Sequence, residues 1–163
     1  MAVIPGTSPA GHELTLARLR RPDPDLLAEI AEYDREAFGA LGLRSCDLAV
    51  MAEAGAVYVA RIGSEVVGGC QLLRMLDEPH CFYLVGFYIR QEWQGRGVGR
   101  KLLQALIELC VELGCEGLVL TVGLDNVRAL ELYKSAGFAE EVFVPGFYGV
   151  GEDRVVLRAR FAE

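Results

Sequence analysis

The chain has 163 residues, 52% of them apolar, and a formal net charge of −7. That length suits one domain with a substantial core. The acidic balance argues against a nucleic-acid binder, which needs a basic field to neutralise phosphates, and it suits cationic or amine-bearing partners.

The N-terminal stretch "MAVIPGTSPAGHE" lacks a cationic region followed by a long apolar run, so it does not read as a secretory signal. Its Pro, Gly and Ser content predicts a flexible lead-in over residues 1–12, followed by a single domain over 13–163. Cys46, Cys70, Cys81, Cys110 and Cys115 are odd in number and form no C-x-x-C pair, and His12 and His80 are the two histidines. A zinc site or disulfide framework is therefore not expected, and no metal is assigned. No run of about 18 uncharged apolar residues occurs, so no membrane span is expected and a reducing cytoplasm fits best.

"ELTLARLR" (residues 13–20) reads as a first strand, broken by "RPDPD", with Asp25 as a candidate helix cap. Leu27, Ile30, Ala31, Tyr33, Ala37 and Phe38 then recur at helical spacing. "SCDLAVMAEAG" reads as a second helix with Ser45 as cap and Gly55 as stop. "AVYVARI" and "EVVGGCQLLRML", joined by Gly63 and Ser64, form a hairpin pattern. "CFYLVGFYI" is continuously apolar, as a strand buried on both faces would be.

The segment 98–113 is an amphipathic helix, with Val98, Leu102, Leu106, Leu109, Cys110 and Leu113 opposing Arg100, Lys101, Gln104, Glu108 and Glu112. Gly114 ends it. "GLVLTVG" is a further strand, "NVRALELYKSAGF" a further helix, and "EEVFVPGFYGVGEDRVVLRARF" two strands around a Gly- and Pro-rich turn. Strand–helix–strand order here implies parallel strands, and the preceding meander implies antiparallel ones. The fold class expected is α/β, of the α+β type, with a mixed sheet.

"EWQGRGVGRKLL" (residues 92–103) opens the amphipathic helix with Gly95, Gly97 and Gly99. It is not a P-loop, because Arg100 stands where glycine should precede Lys101. It is not the dinucleotide fingerprint either, because position 102 is leucine. What remains is a helix N-terminus with unpaired N–H groups, cleared of Cβ atoms and flanked by Arg96, Arg100 and Lys101, which suits a phosphate. In the second motif, Asn126 and Tyr133 stand seven residues apart, on one side of a helix. Taken alone, that spacing also fits a helix cap and a core aromatic.

"QGRGVG" (residues 94–99) matches the Q/R-x-x-G-x-G/A signature of the GNAT superfamily of N-acetyltransferases. "NVRALELYKSAGF" (residues 126–138) matches its N-x-x-A-x-x-L-Y-x-x-x-G-F pattern. Both occur in the family's order, and the resemblance covers about residues 13–161. It implies a mostly antiparallel sheet of six to seven strands flanked by about four helices, with the central parallel strands splayed.

The resemblance also implies a cosubstrate, acetyl-coenzyme A. Its pyrophosphate would rest on the amides from Gly95 through Arg96, Gly97, Val98 and Gly99 to Arg100, with Gln94 beside them. Its pantetheine would pair with the backbone of Phe87, Tyr88 and Ile89, as an added strand does, and would meet the side chain of Asn126. Tyr133 would sit near the thioester sulfur as general acid. A phenol of ordinary pKa about 10 stays protonated at neutral pH and can protonate a leaving thiolate.

The acceptor implied is a primary amine on a small molecule or peptide. No nucleic acid or membrane partner is implied, and the protein is expected as a monomer or homodimer. Ribosomal-protein N-terminal alanine acetyltransferases, a subgroup with a similar tail, often carry glutamate five residues before the motif asparagine. Thr121 stands there in this chain, and Phe147 replaces the first tyrosine of the tail while Tyr148 is kept. Glu36 and His80 are the candidates for the base, which stays unassigned. The alternative reading is a coenzyme A-binding module without turnover, which would keep the glycine turn but not need Tyr133.

Overall fold

The computed structural model describes residues 2–7, 13–21 and 23–161. In chain order it contains β1 (Ala2–Thr7), β2 (Glu13–Arg18), α1 (Pro24–Phe38), α2 (Ser45–Ala54), β3 (Ala56–Ile62), β4 (Glu65–Arg74) and β5 (Cys81–Ile89). Next come α3 (Val98–Glu112), β6 (Gly117–Val122), α4 (Val127–Ser135), β7 (Ala139–Val144) and β8 (Arg154–Arg160). The strands form one sheet in the order β1-β2-β3-β4-β5-β6-β8-β7. Pairs β1–β2, β2–β3, β3–β4, β6–β8 and β7–β8 are antiparallel, whereas β5–β6 is parallel.

The expected strands correspond to β2 through β8. Ala2–Thr7, read from sequence as part of the lead-in, adds β1 against β2, with Val3 opposite Thr15. Residues 8–12 of that lead-in lie outside the described residues. The chain divides into two compact units: the first runs up to Leu73 and adds Val85–Leu106, and the second comprises Arg74–Leu84 and the chain from Ile107 onward.

In the first unit, α1 begins at Pro24, not after Asp25. Asp23 is the cap, its carboxylate accepting the Leu26 N–H at 2.7 Å. Proline suits the first helical position, where its missing N–H would have no partner, so Asp25 falls in the first turn. The α2 cap also differs from expectation. Ser45 is already helical, and Asp47 reaches back to the Arg44 N–H at 3.0 Å. Leu27, Ile30, Leu48, Met51, Val57, Val59 and Val66 form the core of α1, α2, β3 and β4.

The β3–β4 hairpin turns at Gly63, whose φ is 61°. Further along, Ala60 faces Gly68 while Arg61 faces Val66, so β4 carries one extra residue, a bulge at Val67. Gly68 is required beside it, because a Cβ there would lie 2.4 Å from the Tyr88 carbonyl oxygen.

In the second unit, β5 and β6 pair from Cys81↔Gly117 to Leu84↔Leu120, and β6 also pairs with β8, Leu120 facing Leu157. Leu118, Leu157 and Cys110 are fully buried. Burial pushes the Cys110 thiol up to about 12, and it raises the Cys81 thiol too. Both behave as small apolar groups, not as thiolates. Leu113, expected on the buried face, lies past the end of α3 and is half exposed.

Candidate active site

In the first unit, β5 leaves the sheet through a 3₁₀ turn at Gln91–Trp93 and a second turn over residues 94–97 before α3 begins. Gly95 and Gly97 have φ of 72° and 78°, a left-handed backbone that glycine adopts without strain. The Lys101 N–H donates to the Gly97 carbonyl at 3.2 Å. The amides of Val98, Gly99 and Arg100 therefore come before any helical acceptor, as at every helix start. Val98 is buried, so only its backbone can serve a ligand; Arg96 and Arg100 are exposed.

The expected coenzyme residues Gln94, Gly95, Arg96, Gly97, Val98, Gly99 and Arg100 thus share one turn. Phe87, Tyr88 and Ile89 form the strand end leading to it. The Gln94 side-chain amide donates to the Ile89 carbonyl at 2.9 Å, which ties the turn to the strand. The Trp93 indole N–H donates to Glu65 at 3.0 Å, and the Arg96 guanidinium stacks 5.4 Å above the Trp93 ring. Arg90 donates to the Val66 carbonyl at 2.9 Å and pairs with Glu65 and Glu92. These contacts brace the turn from β4.

The Tyr88 side chain is buried, packs edge-on to Phe38 at 6.5 Å, and its hydroxyl has no hydrogen-bond partner among the described residues. Burial pushes its pKa well above the ordinary phenol value. On the same β5 face Gly86 leaves room for Gln71, whose amide donates to the buried Asp34 carboxylate at 3.0 Å. Asp34, not the exposed Glu36, is the buried acid of α1. Sequence reasoning missed it, although Asp34 follows Leu27 and Ile30 at helical spacing on the apolar face.

In the second unit, Asn126 caps α4, its Oδ1 accepting the Ala129 N–H at 3.2 Å. That leaves its Nδ2 group as donor, so a capping role and a ligand role use different atoms. Tyr133 is buried and meets Phe138 edge-on at 5.5 Å. Thr121 is the first β6 residue past the last β5 pair. Its hydroxyl stands 3.1 Å from the Tyr83 hydroxyl and 3.3 Å from that of Tyr148. Tyr83 also escaped the sequence reading; its only signal is one more aromatic in an apolar strand.

His80 precedes β5 at its opposite end. It is exposed, lies 3.8 Å from Glu116, and lines an open cavity of about 490 Å³ with Glu78, Cys81, Glu116, Arg160 and Phe161. Glu78 is held on both oxygens by Arg158, at 2.8 and 2.9 Å, which lowers its pKa below the usual carboxylate range.

The profile of the acetyltransferase (GNAT) family matches residues 7–138. The chain belongs to this family. An uncharacterized N-acetyltransferase of Methanocaldococcus jannaschii is 30% identical to this GNAT chain over 101 residues, 61% of this chain and 63% of that protein. The matches span 38% to 63% of the length of the first curated relatives.

The ribosomal-protein-S18-alanine N-acetyltransferase of Escherichia coli has the same fold. It superposes at a TM-score of 0.77 and 20% identity, over 92% of this chain and 95% of that one. A Bacillus subtilis acetyltransferase solved in complex with CoA superposes at 0.76 and 20% identity, over 92% and 100%. Among the described residues, no group of three or more His, Cys, Asp or Glu is arranged to hold a metal ion. No helix among them is long and apolar enough to cross a membrane.

Proposed function

We propose that this GNAT chain transfers the acetyl group of acetyl-coenzyme A to a primary amine, by direct attack of the amine nitrogen on the thioester carbon. The observation that carries the reading is the glycine turn: three amides at the start of α3 that come before its first helical hydrogen bond, two left-handed glycines before them, and exposed arginines beside them. A Cβ built at Gly97 meets no protein atom within 4 Å, so the space outside the turn suits a pyrophosphate.

In the first unit, the amides of residues 95–100 hold the pyrophosphate in this reading, and the backbone of Phe87, Tyr88 and Ile89 pairs with pantetheine. Gln94 keeps the strand end in register through the Ile89 carbonyl. In the second unit, the Asn126 Nδ2 group donates to pantetheine, and the Tyr133 hydroxyl gives its proton to the leaving thiolate. The phenol is the stronger base of the two once ionised, so it recovers a proton from solvent between turnovers. The net charge of −7 supports a cationic acceptor.

The test is release of coenzyme A thiol from acetyl-coenzyme A with a panel of polyamines, amino acids and peptides with free N-termini. Acceptor-stimulated release supports the reading. Tight coenzyme binding by calorimetry without stimulated release by any amine would favour a binding module instead.

A further inference from the structure

We propose that Tyr83, Thr121 and Tyr148 form a hydroxyl relay that carries the acceptor's proton to solvent, in place of a carboxylate base. The inference rests on the acetyl-transfer reading and deepens it.

Three observations converge in the second unit. Thr121 Oγ1 lies within hydrogen-bond distance of both phenol oxygens, at 3.1 and 3.3 Å, and in each pair either atom is a competent donor. A threonine hydroxyl has one proton and two lone pairs, so it can accept from one phenol while donating to the other. The relay also has an inner and an outer end: Tyr83 is partly buried, whereas Tyr148 is 44% exposed.

The outer end is held in place. The Arg154 guanidinium lies 5.0 Å over the Tyr148 ring and is itself fixed by Glu152 at 2.8 Å and the Asp153 carbonyl at 2.7 Å. Asp153 Oδ1 accepts the Gly146 N–H at 2.8 Å, which closes the β7–β8 turn bearing Tyr148. The inner end lies where β5 and β6 stop pairing, at Leu84↔Leu120, one residue before Thr121.

The proton balance closes without an ionised tyrosine. The ammonium of the acceptor gives a proton to Tyr83 Oη as the Tyr83 proton passes to Thr121 Oγ1. The Thr121 proton passes to Tyr148 Oη, and the Tyr148 proton passes to water. Each hydroxyl ends neutral, the acceptor nitrogen is left with a free lone pair from the broken N–H bond, and solvent gains one proton. A concerted hand-over matters here, because burial, the largest influence on it, pushes Tyr83 up to about 12 and makes a tyrosinate base inaccessible at neutral pH. Tyr83 would meet the acceptor; Thr121 and Tyr148 act through it as positioning residues.

The experiment compares Thr121→Val, Thr121→Ser and Tyr148→Phe with the wild type in amine-stimulated thiol release across pH, with coenzyme affinity and Tm measured alongside. The relay predicts that Thr121→Val lowers kcat/KM for the amine at least about tenfold near pH 7. That defect should shrink toward pH 10, where the amine arrives without its proton. Thr121→Ser should restore activity, Tyr148→Phe should show a smaller defect with the same pH trend, and coenzyme affinity should not change. A Thr121→Val enzyme as active as wild type, or a defect equal at every pH, overturns the relay and leaves acetyl transfer standing. A wild-type chain that no amine stimulates overturns the acetyl-transfer reading and takes the relay with it.

Discussion

Gln71 donates its side-chain amide to the Asp34 carboxylate at 3.0 Å, joining two residues 37 apart in sequence inside the first unit. The other carboxylate oxygen accepts the Leu43 N–H at 2.7 Å, so Asp34 ties the segment after α1 to strand β4. An ionised carboxylate only accepts, which turns the Gln71 nitrogen toward it and leaves Gln71 Oε1 buried without a partner among the described residues. Burial raises the Asp34 pKa, outweighing the two hydrogen bonds that lower it.

Asp34 should make stability depend on pH. Its folded pKa lies above the unfolded value of about 3.9, so its contribution is fully present below that pH and is lost as pH rises through the folded pKa. The amide of an Asp34→Asn variant has no such titration. Relative to that variant, the wild type should lose ground from about pH 4 upward, as read from urea midpoints. Asp34→Leu should cost about 1–3 kcal/mol for each donor left unpaired. A difference between wild type and Asp34→Asn that ignores pH would mean the carboxyl titrates alike in the folded and unfolded states.

Gly86→Ala should destabilise through the same pair. A Cβ there would sit 2.3 Å from Gln71 Oε1 and 3.3 Å from Phe38 Cε2, and Gln71 cannot retreat without leaving Asp34. The overpacking cost is about 1–3 kcal/mol. Combined with Gln71→Ser it should be less than additive, since the colliding group is gone. Strict additivity in denaturation would sink the collision argument.

Gly97→Ala separates backbone strain from ligand contact. At φ 78° an alanine costs about 1–2 kcal/mol, and its Cβ meets no protein atom, so the protein should still fold. Coenzyme affinity should nonetheless fall at least about tenfold, roughly 1.4 kcal/mol. Wild-type affinity by calorimetry would refute the pyrophosphate placement.

Tyr133→Phe should lower kcat by roughly 10² while coenzyme affinity changes little. The ring keeps its packing on Phe138, so folding is preserved. An unchanged kcat would remove Tyr133 from the chemistry.

Strands β3 and β5 were readable to the residue, because apolar runs bounded by turn residues such as Gly63 and Ser64 are local signals. The glycine turn was readable too, since left-handed glycines and a helix start are properties of a few consecutive residues. Helix caps were less so: Asp23 and Asp25 differ only in which side of Pro24 they occupy. The edge strand β1 was missed because Pro and Gly mask its pattern, and its partner β2 supplies the order.

The family, strands β2 to β8, the four helices and the glycine turn are written in short-range spacing, so the amino-acid order alone carried them. Which acid is buried and which hydroxyls meet depended on the folded chain. Asp34 and Gln71 come from a helix and a distant strand. Thr121 meets Tyr83, 38 residues away, and Tyr148, 27 residues away, only because β5 and a turn after β7 are brought to β6. A pairing across such distances leaves no local pattern, because the contact is set by strand order and register and not by neighbours along the chain.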